Sequence, residues 1–162
     1  MDSPLLLLLI GLLYALVLGG LSLLRREGLS FRFAAETVSI TVVFAGAAFI
    51  TGRTFHPVLF LLIVYLATMR VRLLVDVGNF YARQGKLTAA ERIYSLAARL
   101  WPDPASRLIV QVNQGVARLQ QGALDEAIQT LTGVLKQAAE GYLGLKYEAA
   151  AHYNLGVAYR RK

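Results

Sequence analysis

The sequence predicts an all-α protein in which three apolar helices precede an array of antiparallel helix pairs. The chain has 162 residues, of which 56% are apolar, and a mean hydropathy of +0.51. The apolar excess lies before residue 76, whereas Gly and Pro punctuate the rest at spacings typical of short paired helices. Because this excess is larger than a soluble core needs, we expect it to face lipid.

The first apolar run, residues 4–24, predicts a membrane-spanning helix. It has 21 residues without a charge, which is long enough to cross about 30 Å of hydrocarbon. A cleavable signal peptide is the alternative. Met1, Asp2 and Ser3 supply no positive charge before the run, and no A-x-A cleavage site follows it. We therefore predict a retained span.

Two further apolar runs, residues 34–52 and 57–75, predict a second and a third span. Glu36 lies near the start of the second run, where we expect it at the level of the headgroups. Arg70 lies near the end of the third run, from which its side chain can extend to the interface. The connection between the runs allows only a tight turn, so both spans should form an antiparallel hairpin. No Gly or Pro occurs at residues 58–77, so the third span should continue into the next helix.

Small residues recur every four positions on one face of the first span, and the second span has pairs at the same spacing, Thr41 with Ala45 and Ala48 with Gly52. Such a face lets a second helix approach the backbone closely. The predicted packing positions are Gly11, Ala15 and Gly19 in the first span and Thr41, Ala45 and Ala48 in the second. Packing within the chain and a homodimer both remain open on this signal.

The basic residues beside the spans predict an orientation. Arg25, Arg26 and Arg32 lie between the first and second spans, whereas Arg53 alone lies between the second and third. Positive residues remain on the cytoplasmic side. We therefore predict an integral protein of the cell (inner) membrane, with its N-terminus outside and its C-terminal domain in the cytoplasm.

The second half of the chain contains a spaced motif that recurs. Its first copy resembles the tetratricopeptide repeat (TPR), a helix-turn-helix unit of about 34 residues. The residues that carry the resemblance are Gly78, Tyr81, Gly85, Ala90, Tyr94, Ala97 and Pro102, with Gly115, Gly122 and Ala127 in the second copy.

The resemblance divides the chain into a membrane anchor, residues 1–70, and a TPR domain, residues 71–162. The domain would hold about two and a half repeats. Their ranges are 71–104, 108–141 and a partial 149–162. The second repeat departs from the family pattern, which expects apolar residues at Gln111 and Gln114 and an aromatic residue at Arg118.

In a TPR array the first helices line a concave groove that binds peptides or helices. The resemblance implies groove positions at Arg72, Val75, Asp76, Asn79, Arg83, Ile109, Val112, Asn113, Val116, Gln120, Tyr153, Asn154 and Arg160. Some family members hold a terminal carboxylate with Lys and Asn side chains. Val75 and Ala150 stand at the lysine positions here, which disfavours that activity. We expect Asn113 and Asn154 to bond neighbouring backbone instead.

The sequence predicts binding rather than catalysis. His56 and His152 are the only histidines, cysteine is absent, and no catalytic or metal-ligating spacing occurs. We therefore expect no enzymatic activity and no cofactor. Residues 70–162 hold 13 of the 17 Lys and Arg residues and 7 of the 10 Asp and Glu residues. The basic residues are dispersed, which favours anionic lipid over nucleic acid.

These observations predict a membrane-anchored scaffold or adaptor that serves a larger membrane complex as accessory subunit or assembly factor. Its partners would be a peptide or helix in the groove, neighbouring transmembrane subunits and the lipid bilayer, with a homo-oligomer left open. The alternative is the anchor and regulatory portion of a longer sensor or enzyme whose catalytic part lies beyond residue 162.

Overall fold

The computed structural model describes residues 3–24, 30–139 and 144–162 of the chain. Among these residues the secondary structure is helical throughout and contains no strand, which confirms the all-α prediction. The helices are α1 (Ser3–Leu24), α2 (Phe31–Thr51), α3 (Pro57–Arg83), α4 (Leu87–Arg99), α5 (Pro104–Gln121), α6 (Leu124–Ala138) and α7 (Leu145–Arg161). Arg25 and Arg26, which bear on the predicted orientation, and residues 140–141 of the second predicted repeat lie outside the described residues.

The first three helices are long and apolar enough to cross a membrane. Most large apolar side chains of α1 are exposed, including Leu12 at 58%, Leu13 at 59% and Leu16 at 64%. Side chains of this kind are stable in hydrocarbon and unfavourable in water. The chain is therefore a membrane protein by the length and composition of these helices.

Two helices begin earlier than the predicted segments because polar side chains cap them. α2 begins at Phe31, three residues before the predicted second span, because Ser30 Oγ accepts a hydrogen bond from the backbone N–H of Phe33 at 3.1 Å. α5 begins at Pro104, because Asp103 Oδ1 accepts a bond from the Ser106 N–H at 2.9 Å. Both caps satisfy N–H groups that have no partner within the helix.

The chain forms two compact units that divide after Arg70. In the first unit, a small core joins α1, α2 and the first part of α3. Its buried side chains are Leu7, Ala45, Ala48, Phe60 and Val64. The ring of Phe44 lies between those of Phe55 and Phe60, at centroid distances of 5.3 and 5.4 Å.

The core of the second unit is built from residues 71–83 of α3 together with α4 to α7. Its buried members include Val75, Tyr94, Ile109, Leu131 and Ala151. Along α4 the buried residues recur at spacings of four and three, and α6 repeats the same spacings. That periodicity places one apolar face of each helix toward the core.

One contact recurs in the second unit with a period of 37 residues. A Cβ built on Gly78 would overlap the ring of Tyr94, and a Cβ built on Gly115 would lie 2.8 Å from a methyl carbon of Leu131. In each pair, the first helix has a glycine, and a large side chain of the second helix packs directly on the backbone at that glycine. The large residue follows the glycine by 16 positions in both pairs. Both large side chains are buried, with exposed fractions of 1% and 0%.

The glycine contact predicts opposite effects of two alanine substitutions. Gly115→Ala should lower the free energy of unfolding by about 1–3 kcal/mol, because the new methyl group would displace Leu131. Gly133→Ala in α6 should raise it by up to about 1 kcal/mol, since alanine favours the helix and no described atom other than the backbone of α6 itself lies within 4 Å of the added carbon. Denaturant unfolding in detergent, followed by circular dichroism, measures both; equal effects would contradict the contact.

Candidate partner-binding surfaces

The predicted groove positions lie on α3, α5 and α7, the first helices of the predicted repeats. Five of their side chains are exposed and five are half-buried. The exposed ones are Asp76, Arg83, Gln120, Tyr153 and Arg160; the half-buried ones are Arg72, Asn79, Asn113, Val116 and Asn154. Together they offer amide, charged and aromatic groups for non-covalent binding.

The other three predicted positions, Val75, Ile109 and Val112, are buried in the core, each with an exposed fraction of 2%. They pack against the neighbouring helices of the second unit. A ligand on the surface of this structure would not reach them. Their contribution is to hold α3 and α5 in the shared core, where burying a side chain of this size stabilises the fold by about 1.5–3 kcal/mol.

The three asparagines among these positions have partners within the fold. Asn113 Nδ2 donates to the carbonyl of Ile109 and Asn154 Nδ2 donates to that of Ala150, both at 2.8 Å. These two bonds confirm the predicted backbone contacts. The Asn79 side chain differs, because its Oδ1 accepts a hydrogen bond from the Tyr94 hydroxyl at 2.7 Å. That bond satisfies the polar tip of a tyrosine that is otherwise buried.

Arg118, which departs from the aromatic pattern, is compensated by polar neighbours. Its Nη1 donates to Thr130 Oγ1 at 2.7 Å, and its Nε lies 3.6 Å from carboxylate oxygens of both Glu91 and Glu126. The arginine thus links α5 to α4 and α6 by charge. The TPR pattern identifies position 118 as a departure, but it does not indicate that Glu91 on α4 and Glu126 on α6 lie beside the arginine.

The faces of α1 and α2 that carry the small residues contact each other within the chain. Gly11 packs against the Thr41 side chain, which would overlap any Cβ added at that glycine. The Thr41 hydroxyl donates to the Thr37 carbonyl at 2.7 Å, so it is satisfied in the apolar contact. Among the other predicted packing positions, Gly19, Ala45 and Ala48 are buried and Ala15 is half-buried.

The structure also contains a charged contact that sequence reasoning missed. Glu36 on α2 accepts two hydrogen bonds from Arg70 on α3, at 2.6 and 2.8 Å, and one from Arg32 at 2.8 Å. The sequence predicts that Glu36 and Arg70 each lie at the membrane boundary, without indicating a contact between them. Counting outward from the tight turn between the two antiparallel runs would have brought them to the same level. The pairing is bidentate, which is the strong form of such a contact.

A second polar contact joins α1 to α3 in the first unit. The hydroxyl oxygens of Tyr14 and Thr68 lie 2.6 Å apart, and the Thr68 hydroxyl also donates to the Val64 carbonyl at 2.8 Å. The Tyr14–Thr68 contact joins the two helices, whereas the bond to Val64 lies within α3. The contact between the hydroxyls therefore fixes the positions of α1 and α3 relative to each other more specifically than apolar packing alone.

Within the described ranges, no group of three or more His, Asp or Glu side chains could hold a metal ion. Comparison of the chain with protein-family models, with curated proteins and with solved structures finds no match. The TPR arrangement therefore stays a prediction that depends on this chain's own residues and contacts.

The buried Tyr94 predicts a loss of stability at high pH. Burial raises the pKa of its hydroxyl from 10.0 to about 12, so between these values the folded chain retains a proton that the unfolded chain releases. The free energy of unfolding should be unaffected below pH 10 and should fall above it, by up to about 1.4 kcal/mol per pH unit.

Tyr94→Phe should remove the contribution of this hydroxyl to the slope of the free energy of unfolding against pH. At neutral pH it should lower the free energy of unfolding by about 1 kcal/mol, because the bond to Asn79 is lost. Denaturant unfolding of the detergent-solubilised chain at pH values between 9 and 12 measures the slope. Tyr153→Phe is the control, because that side chain is 71% exposed and should leave the slope unchanged. An unaltered slope in Tyr94→Phe would show that other groups cause it.

Proposed function

We propose that this chain is a membrane-anchored adaptor that binds a protein partner through a TPR-type array of helix pairs. The observation that supports this proposal most is that the glycine contact recurs: Gly78 packs against Tyr94, and Gly115 packs against Leu131 in the same way. Helix pairs that repeat one packing contact at a fixed period are typical of arrays whose parts bury their apolar faces only by stacking.

The partner would bind along α3, α5 and α7. The exposed side chains of Asp76, Gln120 and Tyr153 are polar or aromatic, a mixture that suits an extended peptide or a partner helix. Binding is the activity favoured by this composition, and the proposal includes no catalytic step. The adaptor would act as accessory subunit or assembly factor of a larger membrane complex.

The membrane helices would anchor this array and contact neighbouring transmembrane subunits. The exposed apolar faces of α1, α2 and α3 extend over more residues than the packing within the first unit covers. Lipid and helices of other subunits are the two environments that suit such faces. We further propose the cell (inner) membrane as the site, with the second unit in the cytoplasm, from the distribution of basic residues.

Substitution of exposed groove side chains should remove the partner without affecting the fold. We expect the full chain purified in mild detergent to retain a partner, measured by quantitative mass spectrometry, and Gln120→Arg with Tyr153→Ala to lower its recovery at least tenfold. Arg92→Ala with Gln129→Ala, on the exposed faces of α4 and α6, is the matched control. Equal recovery from both variants would exclude binding along α3, α5 and α7.

The orientation can be tested by cysteine labelling, because the 162-residue sequence contains no cysteine. Thr54→Cys, in the exposed connection between α2 and α3, should react with a membrane-impermeant maleimide in intact cells. Gln137→Cys, exposed near the end of α6, should react only after the membrane is permeabilised. The reverse pattern would show that the second unit lies outside the cytoplasm.

A further inference from the structure

The helices of the second unit alternate in direction, which gives the unit two distinct ends. Gln121 in the last turn of α5 donates to Glu91 of α4 at 3.4 Å, and Lys162, just after α7, donates to Asp125 in the first turn of α6 at 2.6 Å. The ends of α5 and α7 therefore lie at the same end of the unit as the starts of α4 and α6. The opposite end, at which α3 enters the unit with Val71, contains the end of α4, the start of α5, the end of α6 and the start of α7.

Basic and large apolar side chains are exposed at the end where α3 enters. The last residue of α4, the first turn of α5, the last turn of α6 and the first turn of α7 each contribute one exposed Lys or Arg. Next to them in sequence, Trp101 is 77% exposed and Leu145 is 58% exposed. We call these six residues the basic end: Arg99, Trp101, Arg107, Lys136, Leu145 and Lys146.

The four cations of the basic end have no acidic partner among the described residues. Asp103, which lies in the same region, caps α5 and accepts two hydrogen bonds from Ser106, at 2.9 and 2.8 Å. At the opposite end of the unit the acidic side chains do have cationic partners, as the ion pairs of Glu91, Asp125 and Glu126 show. The charges of the basic end are therefore available to anions outside the chain.

Trp101 has a backbone conformation that is unfavourable for a bulky residue. Among the residues that the structure describes, it is the one non-glycine residue with a positive φ, at 51°. This left-handed region brings Cβ too close to the backbone, and strain of this kind is common at functional sites. Exposure of the ring is also unfavourable in water. Both features suit a ring that lies at the level of lipid headgroups, where tryptophan is enriched.

The course of α3 indicates which anionic surface is near. The helix runs without a break from its apolar, membrane-spanning part into the second unit. Gly78 of α3 packs on Tyr94 of α4, so the antiparallel α4 brings Arg99 back to about the level of Leu73, close to the point where α3 enters the unit. Anionic headgroups attract Lys and Arg over about one Debye length.

We propose that the basic end binds the surface of the bilayer through the phosphate groups of anionic lipids. The four basic side chains would pair with the phosphates, and Trp101 and Leu145 would lie among the headgroups. Lipid is favoured over an acidic protein because α3 already holds the chain in the bilayer, which gives its headgroups a high effective concentration. The site goes beyond the proposed adaptor function, since none of its six residues is a groove position.

The test uses the fluorescence of Trp101, which is the single tryptophan of the chain. The full chain is placed in nanodiscs of phosphatidylcholine alone or of an equimolar mixture with phosphatidylglycerol. In the anionic nanodiscs we expect emission at shorter wavelengths and a Stern–Volmer constant for acrylamide that is at least twofold lower, because headgroups shield the ring. This difference should decrease at high salt, which screens the phosphates.

Two double variants with the same loss of charge separate the basic end from the net charge of the chain. Arg99→Gln with Arg107→Gln should abolish the difference between the two kinds of nanodisc. Lys86→Gln with Arg161→Gln, which removes two exposed charges at the opposite end of the unit, should retain it. Arg99→Lys with Arg107→Lys should also retain it, because the positive charges remain. Circular dichroism should show equal helix content in all four proteins.

Equal quenching in neutral and anionic nanodiscs would overturn the proposal, as would a response of the first double variant equal to that of the control. Two further results would assign the basic end to another ligand and overturn it likewise. They are protection of Trp101 in neutral nanodiscs by dissolved glycerol phosphate, and protection that requires a co-purified protein. Gln120→Arg with Tyr153→Ala should reduce partner recovery and leave the quenching unchanged, so either proposal can fail without the other.

Discussion

The second unit depends on the close approach of two helices at a glycine. At Gly78 and Gly115 the side chains of Tyr94 and Leu131 occupy the space that a Cβ would fill. This contact sets the separation of the helices within each pair, and the buried residues of α4 and α6 then complete the core. Because interiors are packed as densely as organic crystals, such a contact leaves little freedom for alternative arrangements. The exposed residues of the first helices are positioned by this packing.

The first unit follows a different rule, because hydrocarbon offers no hydrogen bonds to polar groups. The hydroxyls of Thr37, Thr41 and Thr68 each donate to the carbonyl four residues earlier in the same helix, at 2.7–2.8 Å. Glu36 is neutralised by two arginines. These polar groups are thus satisfied within the unit, while large apolar side chains of α1, α2 and α3 are exposed on its surface. Because lipid tails are as apolar as the helix surfaces, the hydrophobic effect does not drive these helices together. Their packing depends instead on small residues and on the fit between their surfaces.

Helices were predictable from the sequence because apolar runs, Gly and Pro are local signals. Gly85 and Gly122 adopt positive φ angles of 75° and 84° just after α3 and α5, as helix-ending glycines do. Contacts between distant residues were less predictable. The pairing of Glu36 with Arg70 requires the register of a hairpin, and the burial of Val75, Ile109 and Val112 depends on how closely neighbouring helices stack. The resemblance to the TPR pattern indicates on which face of the helix these residues lie, but it does not indicate how deeply their side chains are buried.

The pairing of Glu36 with Arg70 has a consequence for biosynthesis. If α2 entered the bilayer alone, the Glu36 carboxylate would keep only the single bond from Arg32 of its own helix and would lack the two bonds from Arg70 of α3. A charge near hydrocarbon is costly when it is incompletely paired. Entry of both helices together brings Glu36 and Arg70 to the same depth, so that these two charges are paired when the hairpin is complete. We therefore expect the hairpin of residues 31–70 to integrate into the membrane as one unit, because the synthesis of α3 completes the pairing of a charge that α2 brings to the boundary.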